Sequence, residues 1–286
     1  MCRMAASISS VKTDLTALFA GGPLSLPAQA AADPDRLQAD GWGVGRAAPG
    51  GKIAALERSA SPLSGEVPAF TRALRRASGP GAVIAHVRDA SNPLGLSRAR
   101  LLRPENNHPF AGEGLLFAHN GTLNICPEIR ENLGARAASL RGDSDSEVLF
   151  RQIIKMREAY GDLALAVEMA LDEIWTVWGS CAGDRRGVEA PYRGLNIFVS
   201  DGSRLCVLCH YPLKKKKRSL MSPGWDWGEI AWRNSPGGAV FSSEPLDAGP
   251  WRRLREGEMA DAVLSGGKIK ISVRGIAAAR GKAALK

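Results

Sequence analysis

Residues 144–175 read SDSEVLFRQIIKMREAYGDLALAVEMALDEIW, and this stretch decides the fold because of what flanks it. A helix is predicted over Ser144–Tyr160, opening with Asp145 and carrying Glu147 in its first turn, where acidic groups suit a helix N-terminus. A second helix is predicted over Leu163–Trp175, and a shorter one over Pro127–Ala137 precedes both. Upstream the chain reads mainly as strands: Trp42–Ala47, Lys52–Leu56, the Val- and Ile-rich run Ala82–Val87, and Leu115–Ala118, which stops at the turn signal His119-Asn120-Gly121. Pro68–Ala77 reads as a short amphipathic helix among them. Downstream, strands return: the hairpin Leu195–Ser200 and Leu205–Tyr211 around Asp201-Gly202, the strand Ala239–Ser242, and a last hairpin of Glu258–Leu264 and Lys268–Val273 around Gly266-Gly267. Strands, then helices, then strands predict an α+β layered fold with two sheets and helices outside them.

The chain has 286 residues, 44% hydrophobic and 23% charged, an ordinary globular composition with enough length for a large core. No uncharged apolar run reaches the roughly 20 residues of a membrane span. The net charge of +9 raises nucleic acid as a partner. The excess, however, sits in Lys214–Arg218 and in a tail holding Arg274, Arg280, Lys282 and Lys286. Neither run is interleaved with aromatics or set in a reading motif, so they read as a solvated loop and a frayed tail. Residues 1–274 are expected to form the domain and 275–286 a disordered basic tail. Neither a membrane nor nucleic acid is the expected partner.

The five cysteines are Cys2, Cys126, Cys181, Cys206 and Cys209. An odd, scattered set does not read as a disulfide framework, which favours a reducing, cytoplasmic setting. Cys206, Cys209 and His210 match the C-x-x-C-H haem-attachment spacing. The segment instead has the look of a hairpin strand with cysteines as small buried hydrophobes, and neither cofactor nor metal is expected. Leu15–Ala28 is uncharged and Pro27–Ala30 faintly resembles a cleavage site. Lys12, Asp14, Gly21, Gly22 and Pro23 interrupt that pattern, and cleavage there would discard Cys2.

Cys2 carries the sharpest chemical signal. Removal of Met1 would leave one residue bearing both a thiol and an α-amine. The amine titrates at about 8 and the thiol at about 8.5, so the amine can act as base for its own thiol without a catalytic histidine.

With that start, the sequence resembles the class II glutamine amidotransferases, and most closely their stand-alone subfamily, which includes the ergothioneine-pathway amidase and related γ-glutamyl hydrolases. The matching segments are Met1-Cys2-Arg3, Asp40–Gly45 (DGWGVG), Ala85–Arg88 (AHVR), Asn107–Phe110 (NHPF), Phe117–Gly121 (FAHNG), Ser144–Glu147 (SDSE), Leu195–Gly202 (LNIFVSDG) and Ser242–Leu246 (SSEPL), in the family's order over residues 1 to about 260. The resemblance implies a four-layer αββα sandwich of the N-terminal-nucleophile hydrolase type. It implies that Cys2 attacks a side-chain amide to form a γ-glutamyl thioester, with Asn120 and Gly121 as the oxyanion-hole pair. It implies that Arg88 grips the substrate α-carboxylate, that Ser91 adds a contact, and that Asp145 receives the α-ammonium. Asp145 could equally be a helix N-cap, and His108 is expected to order the adjacent loop.

The sequence departs from synthase-linked relatives at Asp89, where an aromatic is common, and at Asn92, where His is common. Two stretches have no counterpart, Val177–Arg193 and Tyr211–Asn234; the second holds Trp225, Trp227 and Trp232, which read as packing or as a lid over a leaving group. The expected activity is hydrolysis of glutamine or a γ-glutamyl small molecule. The alternatives are an ammonia-donating glutaminase subunit of a separate synthase partner, and a catalytically silent binding module. The lack of a second domain after the first leans toward the self-sufficient enzyme.

Overall fold

A computed structural model describes residues 2–35, 37–211 and 218–277. Its strands are β1 (Arg3–Ser9), β2 (Trp42–Ala48), β3 (Lys52–Ser59), β4 (Gly81–Val87), β5 (Phe110–Gly112), β6 (Leu115–Leu123), β7 (Tyr192–Ser200), β8 (Arg204–Cys209), β9 (Ile230–Ser235), β10 (Gly238–Ser242), β11 (Arg252–Leu254), β12 (Glu258–Ser265) and β13 (Lys268–Gly275). The helices are α1 (Thr16–Ala20), α2 (Leu26–Ala30), α3 (Leu63–Arg76), α4 (Arg98–Leu101), α5 (Cys126–Asn132), α6 (Asp145–Tyr160) and α7 (Leu163–Cys181). A seven-stranded sheet runs β11-β9-β10-β1-β4-β2-β3, and a six-stranded sheet runs β13-β12-β8-β7-β6-β5. All pairings are antiparallel.

The layers follow from the two-residue side-chain period of a strand. On β1, Met4, Ala6 and Ile8 point into a core shared with Leu116 and Ala118 of β6 and Phe198 of β7, which seals the two sheets together. Ala5 of β1 and Val83, Ala85 and Val87 of β4 face the other way, against Phe19, Leu26, Phe70 and Leu74 of α1–α3. On β6 and β7, Phe117, Ile197 and Val199 pack against Leu149, Ile153, Val167 and Ile174 of α6 and α7. The order of layers is therefore helices, sheet, sheet, helices, as the sequence resemblance implied. The alternating glycines of DGWGVG have a steric reason. A Cβ on Gly43 would sit 2.2 Å from the carbonyl oxygen of His108, and one on Gly45 would meet Leu116 at 2.7 Å.

Three expectations need correction. His119-Asn120-Gly121 is not a turn: β6 continues through it to Leu123, with a pairing irregularity between Gly121 and Leu123. The reason is lateral, since β7 pairs along the whole stretch and outweighs the local Asn-Gly preference. Asp145 is not the N-cap of α6, because Ser144 fills that role, its side chain accepting from the N–H of Ser146. The helix predicted over Pro127–Ala137 divides into α5 and a 3-10 segment, Gly134–Ser139, around a left-handed Gly134 (φ 57°). Lys214–Lys217 and the tail beyond Ala277 lie outside the described residues. Among the described residues no helix is long and apolar enough to cross a membrane.

Candidate active site

The pairing of β1 with β4 aligns Arg3 with Val87, so the next residue on each strand, Cys2 and Arg88, leave the same end of the seven-stranded sheet side by side. Cys2 is buried, and its Sγ accepts the N–H of Asp89 at 3.3 Å and lies 3.4 Å from the Asp89 carbonyl oxygen. Burial pushes the Cys2 thiol above its ordinary range, against the opposing pull of the Asp89 N–H and the Arg88 charge. Arg3, the next residue, anchors this strand end from below. Its guanidinium pairs with Glu244 at 3.0 Å, both side chains being almost fully buried, and stacks over Trp227 at 5.4 Å.

The facing sheet supplies the second wall. Asn120 on β6 points toward β1 and donates from Nδ2 to the Cys2 carbonyl oxygen at 3.0 Å. Gly121 has no room for any side chain: a Cβ there would stand 1.8 Å from the Gly194 carbonyl oxygen and 2.6 Å from the His119 ring. The third wall is the start of α6. One Asp145 carboxylate oxygen accepts the Leu123 N–H at 2.8 Å, and the other is 3.5 Å from the Ser146 hydroxyl. Ser146 Oγ in turn meets His119 Nδ1 at 3.0 Å, while His119 Nε2 lies 3.3 Å from the Gly194 carbonyl. This chain fixes Asp145 from two sides. Arg88 is fixed too, one guanidinium nitrogen donating to the Leu101 carbonyl at 2.8 Å and to Asn107 Oδ1 at 3.1 Å.

These groups wall a single cavity of about 270 Å³, which includes Cys2, Arg88, Ser91, Asn120, Gly121 and Asp145. All six residues expected from the sequence are brought together. The sequence reading missed others on the same wall: His119, Thr122, Ser146, Arg193 and Tyr211. His119 lay in a quoted motif but read as part of a turn. Arg193 and Tyr211 are the inner ends of the two unmatched stretches, where the sequence placed interest on the tryptophans. Those tryptophans do not line the cavity: Trp225 stacks on Arg253, Trp227 on Arg3, and Trp232 on Arg252 and Phe241. His108 closes the floor, its ring 4.2 Å from that of His86. Burial holds both rings neutral, His86 being pushed down to about 3 and His108 well below its ordinary range.

The second half's C-x-x-C-H motif is accounted for by packing. Cys206 and Cys209 are buried on β8, and His210 Nε2 meets the Tyr192 hydroxyl at 2.8 Å while Nδ1 contacts Glu256. Among the described residues no group of His, Cys, Asp and Glu is arranged to hold a metal.

The sequence profile of the class II glutamine amidotransferases matches residues 1–222. The chain belongs to that family. Class II glutamine amidotransferases work on the amide nitrogen of glutamine, and membership makes this chain an enzyme of that general kind. Its fold is similar to that of a glutamine aminotransferase class-II domain protein from Silicibacter pomeroyi, at 20% identity and a TM-score of 0.61, over 96% of this chain and 99% of that one. It is also similar to the glutamine phosphoribosylpyrophosphate amidotransferase of B. subtilis solved with ADP and GMP, at 16% identity and a TM-score of 0.57. That match covers 95% of this amidotransferase and 49% of the B. subtilis chain. No curated protein matches significantly. The fold is thus the α+β sandwich of the N-terminal-nucleophile hydrolases, with the candidate site where its two sheets meet the start of α6.

Proposed function

We propose that this amidotransferase hydrolyses the side-chain amide of glutamine or of a γ-glutamyl compound through a thioester on Cys2. The observation that carries the reading is the shared wall of one cavity by Cys2, Asn120, Gly121, Arg88 and Asp145. Once Met1 is removed, the Cys2 α-amine takes the thiol proton as Sγ bonds to the amide carbon. A buried thiol held above its ordinary range needs such a base. Asn120 Nδ2 and the Gly121 N–H stabilise the oxyanion. The tetrahedral species collapses, the C–N bond breaks, and the proton on the amine passes to the departing nitrogen. Water then attacks the thioester, releasing a γ-carboxylate and restoring the thiol.

Arg88 and Asp145 carry the two charges that an α-amino acid presents, a cation for the carboxylate and an anion for the ammonium, with Ser91 beside Arg88. Purified protein is to be assayed for glutamate release from glutamine and γ-glutamyl amides, beside Cys2→Ala. Release by the wild type alone supports the reading. Release that persists in Cys2→Ala overturns it. Glutamine hydrolysis that appears only with an added synthase identifies the ammonia-donating alternative.

A further inference from the structure

Two charges on the cavity wall are left unused by glutamine, Asp89 and Arg193, and of these Asp89 already interacts within the protein. Glutamine's α-carboxylate and α-ammonium are matched by Arg88 and Asp145, and its amide meets Cys2, Asn120 and Gly121. Arg193 also lines the cavity. Its side chain is exposed, and among the described residues it makes no ion pair and no side-chain hydrogen bond. The molecule's other arginines at this end differ: Arg88 is bonded twice to the protein, and Arg3 is paired with Glu244.

The wall beside Arg193 is tightly packed. Gly194 (φ +125°) leaves its Cβ position to the Tyr211 ring, whose nearest carbon would lie 2.3 Å away, and Gly228 (φ +96°) approaches the same side chain to 2.9 Å. Tyr211 is thereby clamped between two glycines that no other residue could replace without displacing it. Its backbone N–H donates to Glu256, which also holds His210, itself bonded to Tyr192, the residue preceding Arg193. A packed aromatic wall with one uncompensated cation at its edge is a recognition surface for an anion, not a seat for departing ammonia.

Building on the γ-glutamyl hydrolase reading above, we propose that the preferred substrate is a γ-glutamyl amide whose leaving amine carries a carboxylate, that is, a γ-glutamyl amino acid or peptide, and that Arg193 is the residue that selects it. The carboxylate pairs with the Arg193 guanidinium while the leaving amine lies against Tyr211.

The test compares γ-glutamylglycine with γ-glutamylglycinamide, which differ only in that carboxylate, by kcat/KM for glutamate release. Wild type should favour the free acid by about five- to tenfold, the range of a charge-assisted contact at a partly exposed site. Arg193→Gln should bring the ratio close to one, Arg193→Lys should keep part of it, and added salt should shrink it in wild type. A wild-type ratio near one, or an undiminished ratio in Arg193→Gln, overturns the inference while glutamate release leaves the hydrolase reading standing. Absence of glutamate from both compounds and from glutamine instead defeats the underlying reading.

Discussion

Asn120 Nδ2 donates to the carbonyl oxygen of Cys2 at 3.0 Å across the gap between the two sheets. The bond ties the Cys2 backbone to the strand that carries the candidate oxyanion donors. Asn120→Ala should lower kcat by about 10²–10³ with a smaller change in KM, as for loss of a donor that works on developing charge. A change confined to KM would mean that Asn120 only orients Cys2.

Gly121 leads to a steric prediction. With the Gly194 carbonyl oxygen 1.8 Å from where a Cβ would stand, Gly121→Ala must push β6 away from β7. Overpacking of this kind costs about 1–3 kcal/mol. The variant should unfold at lower urea concentration than wild type and should show little glutamate release. Unchanged stability together with full activity would contradict the packing.

The Arg3–Glu244 pair is buried on both sides. Arg3→Ala strands the Glu244 carboxylate, at a cost of about 3–5 kcal/mol, and loosens the strand end that presents Cys2. Calorimetry should show a lowered Tm for Arg3→Ala, and the double variant Arg3→Met with Glu244→Leu should recover much of it. If the single variant melts with wild type, the pair contributes nothing to the fold.

Acid sensitivity follows from the stacked histidines. His86 is held neutral in the native state, down to about 3, and His108 is likewise depressed, whereas in the unfolded chain each takes a proton below about pH 6.5. The unfolded state therefore binds more protons between those limits. The contribution of these histidines to stability is complete above about pH 6.5 and falls as pH drops toward 3, by about 1.4 kcal/mol per pH unit for each. Urea midpoints measured from pH 7 to pH 4 should decline, and more shallowly in His86→Phe. Parallel slopes for the two proteins would remove His86 from this account.

Covalent labelling separates the cysteines. A glutamine-like diazo-ketone should modify Cys2 in a chain whose intact mass lacks one methionine. Cys206 and Cys209 should stay unlabelled, since burial drives both thiols well above their ordinary range. Labelling on β8, or a fully active chain retaining Met1, would refute the amine-base mechanism.

The candidate residues Cys2, Arg88 and Asp145 could be singled out from the sequence because their type and motif are local, and the fold brings them to one cavity. Elements defined by their neighbours could not be singled out. β1 (RMAASIS) has no polar alternation because all seven residues are buried, so a period-two pattern could not reveal the strand at the centre of the sheet. The Asn-Gly pair carried the opposite error, a strong local turn preference overruled by pairing with Leu195 and Asn196. Arg193 and Tyr211 escaped notice for a related reason. They lie 18 positions apart in sequence, and only the approach of Tyr211 to Gly194 brings them to one wall.

The candidate groups are divided between the two sheets: Cys2 and Arg88 leave one, Asn120 and Gly121 belong to the other, and an apolar core including Met4, Ala6, Leu116 and Ala118 lies between. The thickness of that core is the jaw setting of a caliper. A methyl group added at Ala6 or Ala118, neither of which lines the cavity, should widen the opening at Cys2 and lower activity. Tolerance to mutation should therefore track the spacing of the sheets better than distance from Cys2.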